Sequence, residues 1–463
     1  MLDLIKSLID RAQKIGASYA DIRYQSGNSS TITIENGLLK RYESSELSGI
    51  GIRVIVDKAM GFASSTVLEP RLLSKKVTQA VKLAKTSKKR AETTILSETR
   101  TKKASAKSSF KRDPDSVSHE ERISIALDAN KAAMTEGIRN STTRLGWFHE
   151  HRLFLSSEGS EVTTETMMTG LSQSSVATHN GVMESVYDGE SSCAGFEFIL
   201  SNDWCDFTKK VAESSLQAVK AKTPPAGVYE VVSDPDLIGL ILHEALGHAS
   251  EGDLVITNES VLQGRLGQRV ASPTVTIVDD GLVEGGYFLP YDDEGVEKTR
   301  QVVVDHGILK GFLQSRDTAH RMVSSTTGNA RAQGFGSRPI VRQANFFMEK
   351  GDHSFEELVE GIDEGLYIRG KGAMGGEVDV GLGAFTFRCG PSYIIKHGKV
   401  GEMVRSVSVS GLVLETLKNV SRVGKDFEIR TSLFGGCGKS GQMVRVGHGG
   451  PPVRIDKMSI GGS

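Results

Sequence analysis

The sequence predicts an α+β fold of two domains. We expect an N-terminal domain of helices and an antiparallel sheet, followed by a strand-rich C-terminal domain that carries a buried metal-site helix. At 463 residues the chain is too long for one ordinary core. Helical segments are mixed with hairpin-connected strands, which favours α+β over a wound parallel sheet. Most of the 51 glycines fall after residue 225, as expected for short strands and tight turns.

The N-terminal domain is predicted over residues 1–225 and begins with an amphipathic helix, whose apolar face is formed by Leu4, Ile5, Leu8, Ile9, Ala12 and Ile15. A hairpin turn is expected at 35–37, because Asn36 and Gly37 tolerate positive φ. Further helices are expected near 70–90, 119–136 and 206–222. The predicted strands are ADIRYQ, STITIEN, GIGIRVIV, AMGFASST, RLFLSS, VTTETMMTGLSQSSVAT and CAGFEFILS.

The C-terminal domain is predicted over residues 226–463. Pro224 and Pro225 interrupt any helix, and the strand VYEVV follows them. The glycine-rich segment 370–385 leaves room for another backbone to approach a sheet edge. An extended peptide could add there as a strand.

Composition excludes several classes of protein. Lys and Arg number 56 against 57 Asp and Glu, a balance that argues against a nucleic-acid binder. The 4 cysteines form no CxxC pair and no disulfide framework, so a reducing compartment fits. The N-terminus lacks a secretory apolar run, and no apolar stretch is long enough to span a membrane. We therefore expect a cytoplasmic protein.

The segment 75–112 is strongly basic, with thirteen Lys and Arg residues against Glu92 and Glu98. A solvated helix face followed by a loop is the preferred interpretation. The alternative is a patch for nucleic acid or an acidic partner. No aromatic residue interleaves with the charges before Phe110, so base stacking has no support.

The stretch HEALGHASEGD, residues 243–253, contains the residues with metal-binding chemistry. It ends an apolar helix that Asp234 can cap and in which Pro235 takes the first position. Because this helix is apolar nearly all round, it should be buried. Buried His243, Glu244 and His248 then need partners, since unsatisfied polar groups cost a few kcal/mol each.

The spacing of the two histidines is HExxxH, one residue longer than the HExxH of zinc peptidases. Positions i and i+5 lie about 140° apart on an α-helix, so both imidazoles cannot reach one ion from regular α geometry. Gly247 immediately precedes His248. A π-type turn there, or a helix end at the glycine, would bring the two rings together.

A third metal ligand is needed, because catalytic zinc takes three protein ligands and keeps one open position. Glu251 and Asp253 are close in sequence, whereas Cys437 is distant but lies in the glycine-rich stretch FGGCGKSGQ. A thiolate there can approach a metal closely, and Lys439 would favour the thiolate form. Spacing alone leaves these alternatives open.

A set of motifs resembles the TldD/PmbA family, once described as modulators of DNA gyrase and now regarded as metallopeptidases. HEALGHASEGD, VDDG at 278–281, DDEG at 292–295, DHGILKGF at 305–312, TGNARAQ at 327–333 and CGKSGQ…VGHGGP at 437–451 occur in this order. They cover the C-terminal half, whereas the N-terminal half fits more loosely, through its element order and SSEGSEV at 156–162.

The resemblance implies a specific site and activity. It is to the active, TldD-like kind of subunit, and it implies that His243, His248 and Cys437 hold the metal while Glu244 is the general base. One divalent transition metal per chain is expected: zinc, with iron as the alternative. The implied substrates are short or unfolded peptides. The implied assembly is a dimer enclosing the active sites, either of like chains or with a PmbA/TldE-like subunit.

Some motif residues have no assigned role. His448 stands where the family pattern favours a small apolar residue. It is either an extra polar group near the site or an ordinary surface residue, and the surface residue is the preferred interpretation. Asp292, Asp293 and Glu294 either line a cavity or form turn and cap contacts.

Two rival functions differ from a peptidase. The first is a non-enzymatic regulatory or binding protein, like a gyrase modulator, with a structural metal. Such a site has no need for an uncoordinated Glu244 beside a ligand, although Glu244 could instead orient an imidazole there. The second is a scaffold subunit that is active only with a different chain.

Overall fold

The computed structural model describes residues 1–87, 93–372 and 376–462, and it has the mixed α+β architecture that the sequence predicts. The helices are α1 Leu2–Lys14, α2 Pro70–Ser87, α3 His119–Ala132, α4 Glu197–Ser201, α5 Trp204–Ala218, α6 Pro235–Ile241, α7 Gly252–Ile256, α8 Arg316–Arg321, α9 Phe355–Val359 and α10 Val413–Lys418. Single 3₁₀ turns lie at Pro114–Ser116 and His248–Ser250, and a π-helical turn lies at Leu242–Gly247.

A seven-stranded sheet takes all its strands from the first half of the chain. The strands are β1 Tyr19–Glu35, β2 Leu38–Val56, β3 Ala59–Ser65, β4 Lys103–Lys107, β5 Ile138–Ser156, β6 Glu161–His179 and β7 Val182–Ser192. Their order is β3-β2-β1-β5-β6-β4, with β7 also paired to β6. Among the described residues of this sheet, the β4–β6 pairing is parallel and the other pairings are antiparallel. The turn between β1 and β2 has Asn36 and Gly37 at positive φ, as predicted.

Helices cover one face of this sheet in two groups. Helices α1 and α2 pack on β1 and β2 through a buried cluster that includes Ile5, Leu8 and Val77. Helices α3 and α4 pack farther along the sheet, in a cluster built around Trp147 and Phe196. Two apolar cores therefore lie side by side on the same sheet.

Several predicted strands differ from those in the structure, since GIGIRVIV and RLFLSS are only the ends of the longer strands β2 and β5. ADIRYQ and STITIEN belong to the single strand β1, because Gly27 and its neighbours pair with both β2 and β5 and so continue the ladder. The segment CAGFEFILS, predicted as a strand, contains α4 instead. There the Glu197 carboxylate accepts from the backbone N–H of Gly195, while Phe196 and Ile199 enter the core.

The second half of the chain forms the remaining sheets. The strands are β8 Gly227–Ser233, β9 Ile277–Asp279, β10 Gln301–Asp305, β11 Ile308–Leu309, β12 Ala330–Arg331, β13 Ile340–Val341, β14 Asn345–Met348, β15 Glu364–Ile368, β16 Gly376–Asp379, β17 Ala384–Arg388, β18 Ser392–Lys396, β19 Lys399–Val404, β20 Val407–Leu412, β21 Val420–Val423, β22 Glu428–Thr431, β23 Cys437–Lys439, β24 Gln442–Val444, β25 Gly447–Gly450 and β26 Val453–Gly462.

These strands assemble into two larger sheets and two small ribbons. The nine-stranded sheet has the order β16-β17-β20-β26-β8-β15-β18-β19, with β21 on β26. The six-stranded sheet has the order β11-β10-β9-β14-β25-β22, and β12-β13 and β23-β24 form the ribbons. Side chains of both large sheets meet in one apolar cluster, and α6 lies within it.

Helix α6 begins as the sequence predicts. Asp234 caps it by accepting from the Leu237 N–H at 2.8 Å, and Pro235 takes the first position. The Asp234 carboxylate also accepts from the Gly370 N–H, so the cap joins the helix to a second segment. Leu237 and Ile241 have no exposed surface, as the apolar pattern predicts.

The DDEG motif joins the two halves of the molecule. Arg53 donates to both Asp21 and Glu294, and Arg152 donates to Asp293 at 2.9 Å. Asp292 instead accepts three backbone N–H groups within its own loop and β12. The motif therefore makes ion pairs and turn contacts.

The basic segment is distributed over several elements. Residues 75–87 lie in α2, and residues 88–92 are outside the described part of the chain. Farther along the segment, Lys103–Lys107 form β4, which pairs with β6. Lys102 contacts Glu297 and Lys107 contacts Glu165.

No helix in the described residues is long and apolar enough to cross a membrane.

Candidate metal centre

A π-helical turn brings the two histidines of HExxxH together. After α6 the backbone widens over Leu242–Gly247, and the His248 N–H donates to the His243 carbonyl five residues earlier. The two imidazole ring centres lie 5.4 Å apart. The departure from α geometry that the long spacing requires is therefore present.

Gln343 supports this turn from outside the helix. Its side-chain amide donates to the His243 carbonyl at 3.0 Å. A Cβ on Gly247 would overlap the Gln343 amide, so only glycine allows the approach. The residue before His248 thus has a packing role that the sequence alone did not indicate.

Cys437 reaches the histidines from a hairpin far along the chain. It begins β23, and its Sγ lies 3.1 Å from Nε2 of His248. Ligand atoms of His243, His248 and Cys437 all lie within 4.8 Å of one another, and all three residues are buried. The buried Arg342 guanidinium donates to the Cys437 carbonyl at 2.5 Å and fixes the hairpin.

The surroundings of Cys437 favour the thiolate. Burial by itself would raise the pKa of the thiol, but the imidazoles of His243 and His248 lower it to about 5. Lys439, which we expected to favour the thiolate, instead donates to Glu251 and Asp253 at 2.8 and 2.7 Å.

Glu251 contacts His248, but its carboxylate is not one of the three candidate metal donors. Its carboxylate is 3.1 Å from Nδ1 of His248, on the opposite side of the ring from Cys437. Burial opposes ionisation of Glu251, yet His248 and Lys439 lower its pKa to about 2. An ionised carboxylate on the far nitrogen of a ligating histidine orients the ring and raises its basicity.

Glu244 is placed differently from the buried donors. Its side chain is 36% exposed, and its nearer carboxylate oxygen lies 3.9 Å from Nε2 of His248. It lines a cavity of about 450 Å³ together with His243 and Cys437. A carboxylate that faces this cavity can exchange protons with a molecule inside it.

His448 lies in the same cavity, so the preferred interpretation as a surface residue was wrong, and the alternative of a polar group near the site agrees with the structure. Strand β25 is held between β14 and β22, and this pairing places the His448 ring 6.0 Å from the ring of His243. Burial, together with the neighbouring His243 and Arg430, lowers the pKa of His448 to about 3. Its imidazole is therefore neutral at neutral pH.

Charged residues that the sequence did not single out form another wall of the cavity. Arg430 contacts Asp236 at 3.0 Å and Asp188 at 3.3 Å, and Lys371 also contacts Asp188 at 3.3 Å. Asp188 lies in β7, a strand of the first half of the chain. Residues from both halves of the chain therefore line the cavity.

The donor set suits a transition metal. Two imidazoles and a low-pKa thiol are ligands that zinc prefers. The buried Nδ1 of His243 has no hydrogen-bond partner among the residues that the structure describes. A buried polar atom without a partner is costly, so the geometry fits a bound ion.

Comparisons with known proteins cover most of the chain. Three family models match it in order: "PmbA/TldA metallopeptidase domain 1" over residues 20–86, the "central domain" over 112–221 and the "C-terminal domain" over 226–462. The last of these models alone spans more than half of the chain.

Curated relatives are similar over nearly their full length. A metalloprotease of Methanothermobacter thermautotrophicus is 38% identical over 96% of both chains. A metalloprotease TldD homolog of Haemophilus influenzae is 30% identical over 96% of this chain and 93% of its own. A zinc metalloprotease TldD homolog of Saccharolobus solfataricus is 29% identical over 98% and 99%.

Solved structures share the fold. A putative modulator of DNA gyrase from Thermotoga maritima superposes with a TM-score of 0.81 at 22% identity, over 99% of both chains. TldE from Thermococcus kodakarensis gives 0.81 at 19% identity, over 99% of this chain and 100% of its own. At these identities the likeness concerns the fold alone.

Proposed function

The chain belongs to the PmbA/TldD metallopeptidase family, and from that premise we propose that it is a metal-dependent peptidase acting on short or unfolded peptides. In this proposal His243, His248 and Cys437 hold the metal and Glu244 is the general base. The observation that carries it is the convergence of three buried donors beside a carboxylate that faces a cavity.

The roles of the residues follow from their environments. His243, His248 and Cys437 would hold the metal, which would supply Lewis-acid chemistry for the scissile carbonyl and for water. Glu244, half-buried at the cavity wall, takes a proton from the attacking water and later passes it to the leaving amine. Glu251 holds the His248 ring by its far nitrogen, and so keeps the other nitrogen directed at the site.

Zinc is the metal we propose, with iron as the alternative. A His–His–thiolate set suits zinc, and the relative from Saccharolobus solfataricus carries zinc in its name.

Peptide would bind as an added strand. Strand β16 ends the nine-stranded sheet and lies against the π-helical turn that carries His243. Pairing through the backbone gives affinity with little sequence selection, which suits short or unfolded peptides. This assignment concerns residues 376–379, because 373–375 lie outside the described chain.

Assembly as a dimer is part of the proposal. The partner would be a second copy or a PmbA/TldE-like chain, which the fold similarity to TldE supports. If the purified chain alone cleaves peptide, a scaffold role that requires a different chain is excluded.

Replacing Glu244 with glutamine tests the proposal most simply. Glu244→Gln should retain about one zinc per chain, because the three donors are intact. It should lose at least about 100-fold in kcat on a flexible peptide, since glutamine cannot accept the proton. Zinc content by elemental analysis and cleavage by mass spectrometry are measured side by side, with the exposed Glu284→Gln as the control.

The outcomes separate the rival functions. Undiminished cleavage by Glu244→Gln would remove that residue as the base. Wild-type protein that is loaded with zinc and binds peptide without cleaving it would favour the non-enzymatic binding protein.

A further inference from the structure

A gap in the helical layer exposes two histidines on the seven-stranded sheet. Alternate residues of β5 face the helices: Leu145 and Trp147 join the core under α3, and Leu155 joins the core under α1 and α2. Between these two cores the same face presents His149 and His151. Two imidazoles therefore lie side by side where neither helix group covers the sheet.

A carboxylate from the neighbouring strand completes the group. Glu165 of β6 lies opposite His151 in the register. Its carboxylate is 2.9 Å from Nε2 of His149, and the two imidazole ring centres are 4.6 Å apart. Ligand atoms of all three residues lie within 4.8 Å of one another. Two ligands of a tetrahedral zinc ion, each about 2.0–2.2 Å from it, are separated by about 3.3 Å. Small rotamer adjustments would therefore suffice.

Neighbouring residues support and partly shield the group. The Asp113 carboxylate is 4.0 Å from Nδ1 of His149, where it can orient the ring and fix its tautomer. Phe110 packs edge-on against His149. The side chains of His149 and Glu165 are 19% and 21% exposed, whereas His151 is exposed. One side of the group thus remains open to solvent.

We propose that His149, His151 and Glu165 form a second site for a divalent transition metal, separate from the His243, His248 and Cys437 site. Two imidazoles and one carboxylate suit zinc and other late first-row ions, and they suit magnesium or calcium poorly because those prefer oxygen ligands. The ordered strands β5 and β6 hold the three donors, and solvent would provide the remaining ligands.

Lys107 competes with the ion for Glu165. Its ammonium lies 3.1 Å from the same carboxylate oxygen that contacts His149, and 4.0 Å above the Phe110 ring. Because the Lys107 side chain is 52% exposed, it can swing into solvent when a cation replaces it. Removing this positive charge should strengthen metal binding, an effect that a purely structural ion pair would not produce.

Metal counting on the untagged full chain tests the proposal. Metal-free wild type titrated with cobalt(II) or zinc should bind two ions per chain at micromolar concentrations. Glu165→Gln and His151→Ala should each bind one, whereas His179→Ala, an exposed histidine elsewhere on β6, should still bind two. Lys107→Met should bind the second ion several-fold more tightly than wild type.

Cobalt spectra separate this site from the proposed active site. The ion lost in Glu165→Gln should have no thiolate-to-metal charge-transfer band, and that band should disappear in Cys437→Ser instead. One ion per chain in both wild type and Glu165→Gln, or a second ion only at millimolar metal, would overturn the proposal. Neither result would affect the peptidase proposal, which rests on other residues.

Discussion

At the scale of single residues, the candidate site depends on contacts between distant parts of the chain. The Sγ of Cys437 and Nε2 of His248 are 3.1 Å apart although 189 residues separate them. Chemistry and family resemblance selected His243, His248 and Cys437, and the structure brings their ligand atoms within 4.8 Å of one another; their role as metal ligands stays a prediction. The sequence did not place His448 in the cavity, because its position beside His243 depends on β25 lying between β14 and β22, and no local pattern reveals that pairing.

Replacing His448 tests whether it contacts substrate or metal. His448→Val should leave metal content unchanged, because His448 lies outside the compact donor set. It should lower kcat/KM about tenfold, the cost of one lost hydrogen bond from a neutral imidazole to bound peptide. Steady-state kinetics and elemental analysis give both values. Loss of metal would make His448 a ligand, and unaltered kinetics would remove it from the substrate site.

At the scale of secondary structure, the sequence was most informative where it has a long periodic pattern or a specific cap or turn residue. The amphipathic pattern of α1, the cap and proline of α6 and the turn at Asn36 all predicted what the structure has. The segment containing α4 was predicted wrongly. Its apolar run is short, and a run of that length is equally compatible with a strand or a buried helix.

The π-helical turn yields a prediction about Gly247. Gly247→Ala would force its methyl group against the Gln343 amide and so disturb the turn that aligns His243 and His248. We expect zinc affinity to fall at least tenfold and the free energy of unfolding to fall by about 1–3 kcal/mol. Competition with a chelator and urea unfolding measure the two effects.

A matched glycine provides the control. At Gly336 an added methyl group would approach only the Ser64 hydroxyl, at 4.0 Å, so Gly336→Ala should change neither property. If Gly247→Ala bound zinc as tightly as this control, the glycine would not be required for the long histidine spacing.

At the scale of the whole molecule, buried ion pairs join the first half of the chain to the second. Arg53 of β2 contacts Asp21 of β1 and Glu294 of the DDEG motif, and the side chains are at most 5% exposed. The sequence could not assign DDEG to this role, because Arg53 and Glu294 are 241 residues apart. The domain boundary between residues 225 and 226 stays a prediction.

Removing Arg53 should destabilise the protein strongly. Arg53→Met leaves Asp21 and Glu294 buried without their cation, which should lower the free energy of unfolding by about 3–5 kcal/mol. Arg300 pairs with Glu349 on the surface, so Arg300→Met should cost less than about 1 kcal/mol. Urea unfolding followed by circular dichroism compares the two. If Arg53→Met lost no more free energy of unfolding than Arg300→Met, the buried ion pairs would contribute little to stability.

The central claim is that two imidazoles and one thiolate hold the catalytic metal. X-ray absorption at the zinc edge, on protein loaded with less than one equivalent of zinc, tests it directly. We predict one sulfur at about 2.3 Å and nitrogen or oxygen neighbours at about 2.0–2.1 Å, with the sulfur absent from Cys437→Ser. A wild-type spectrum with only nitrogen and oxygen neighbours would contradict the account.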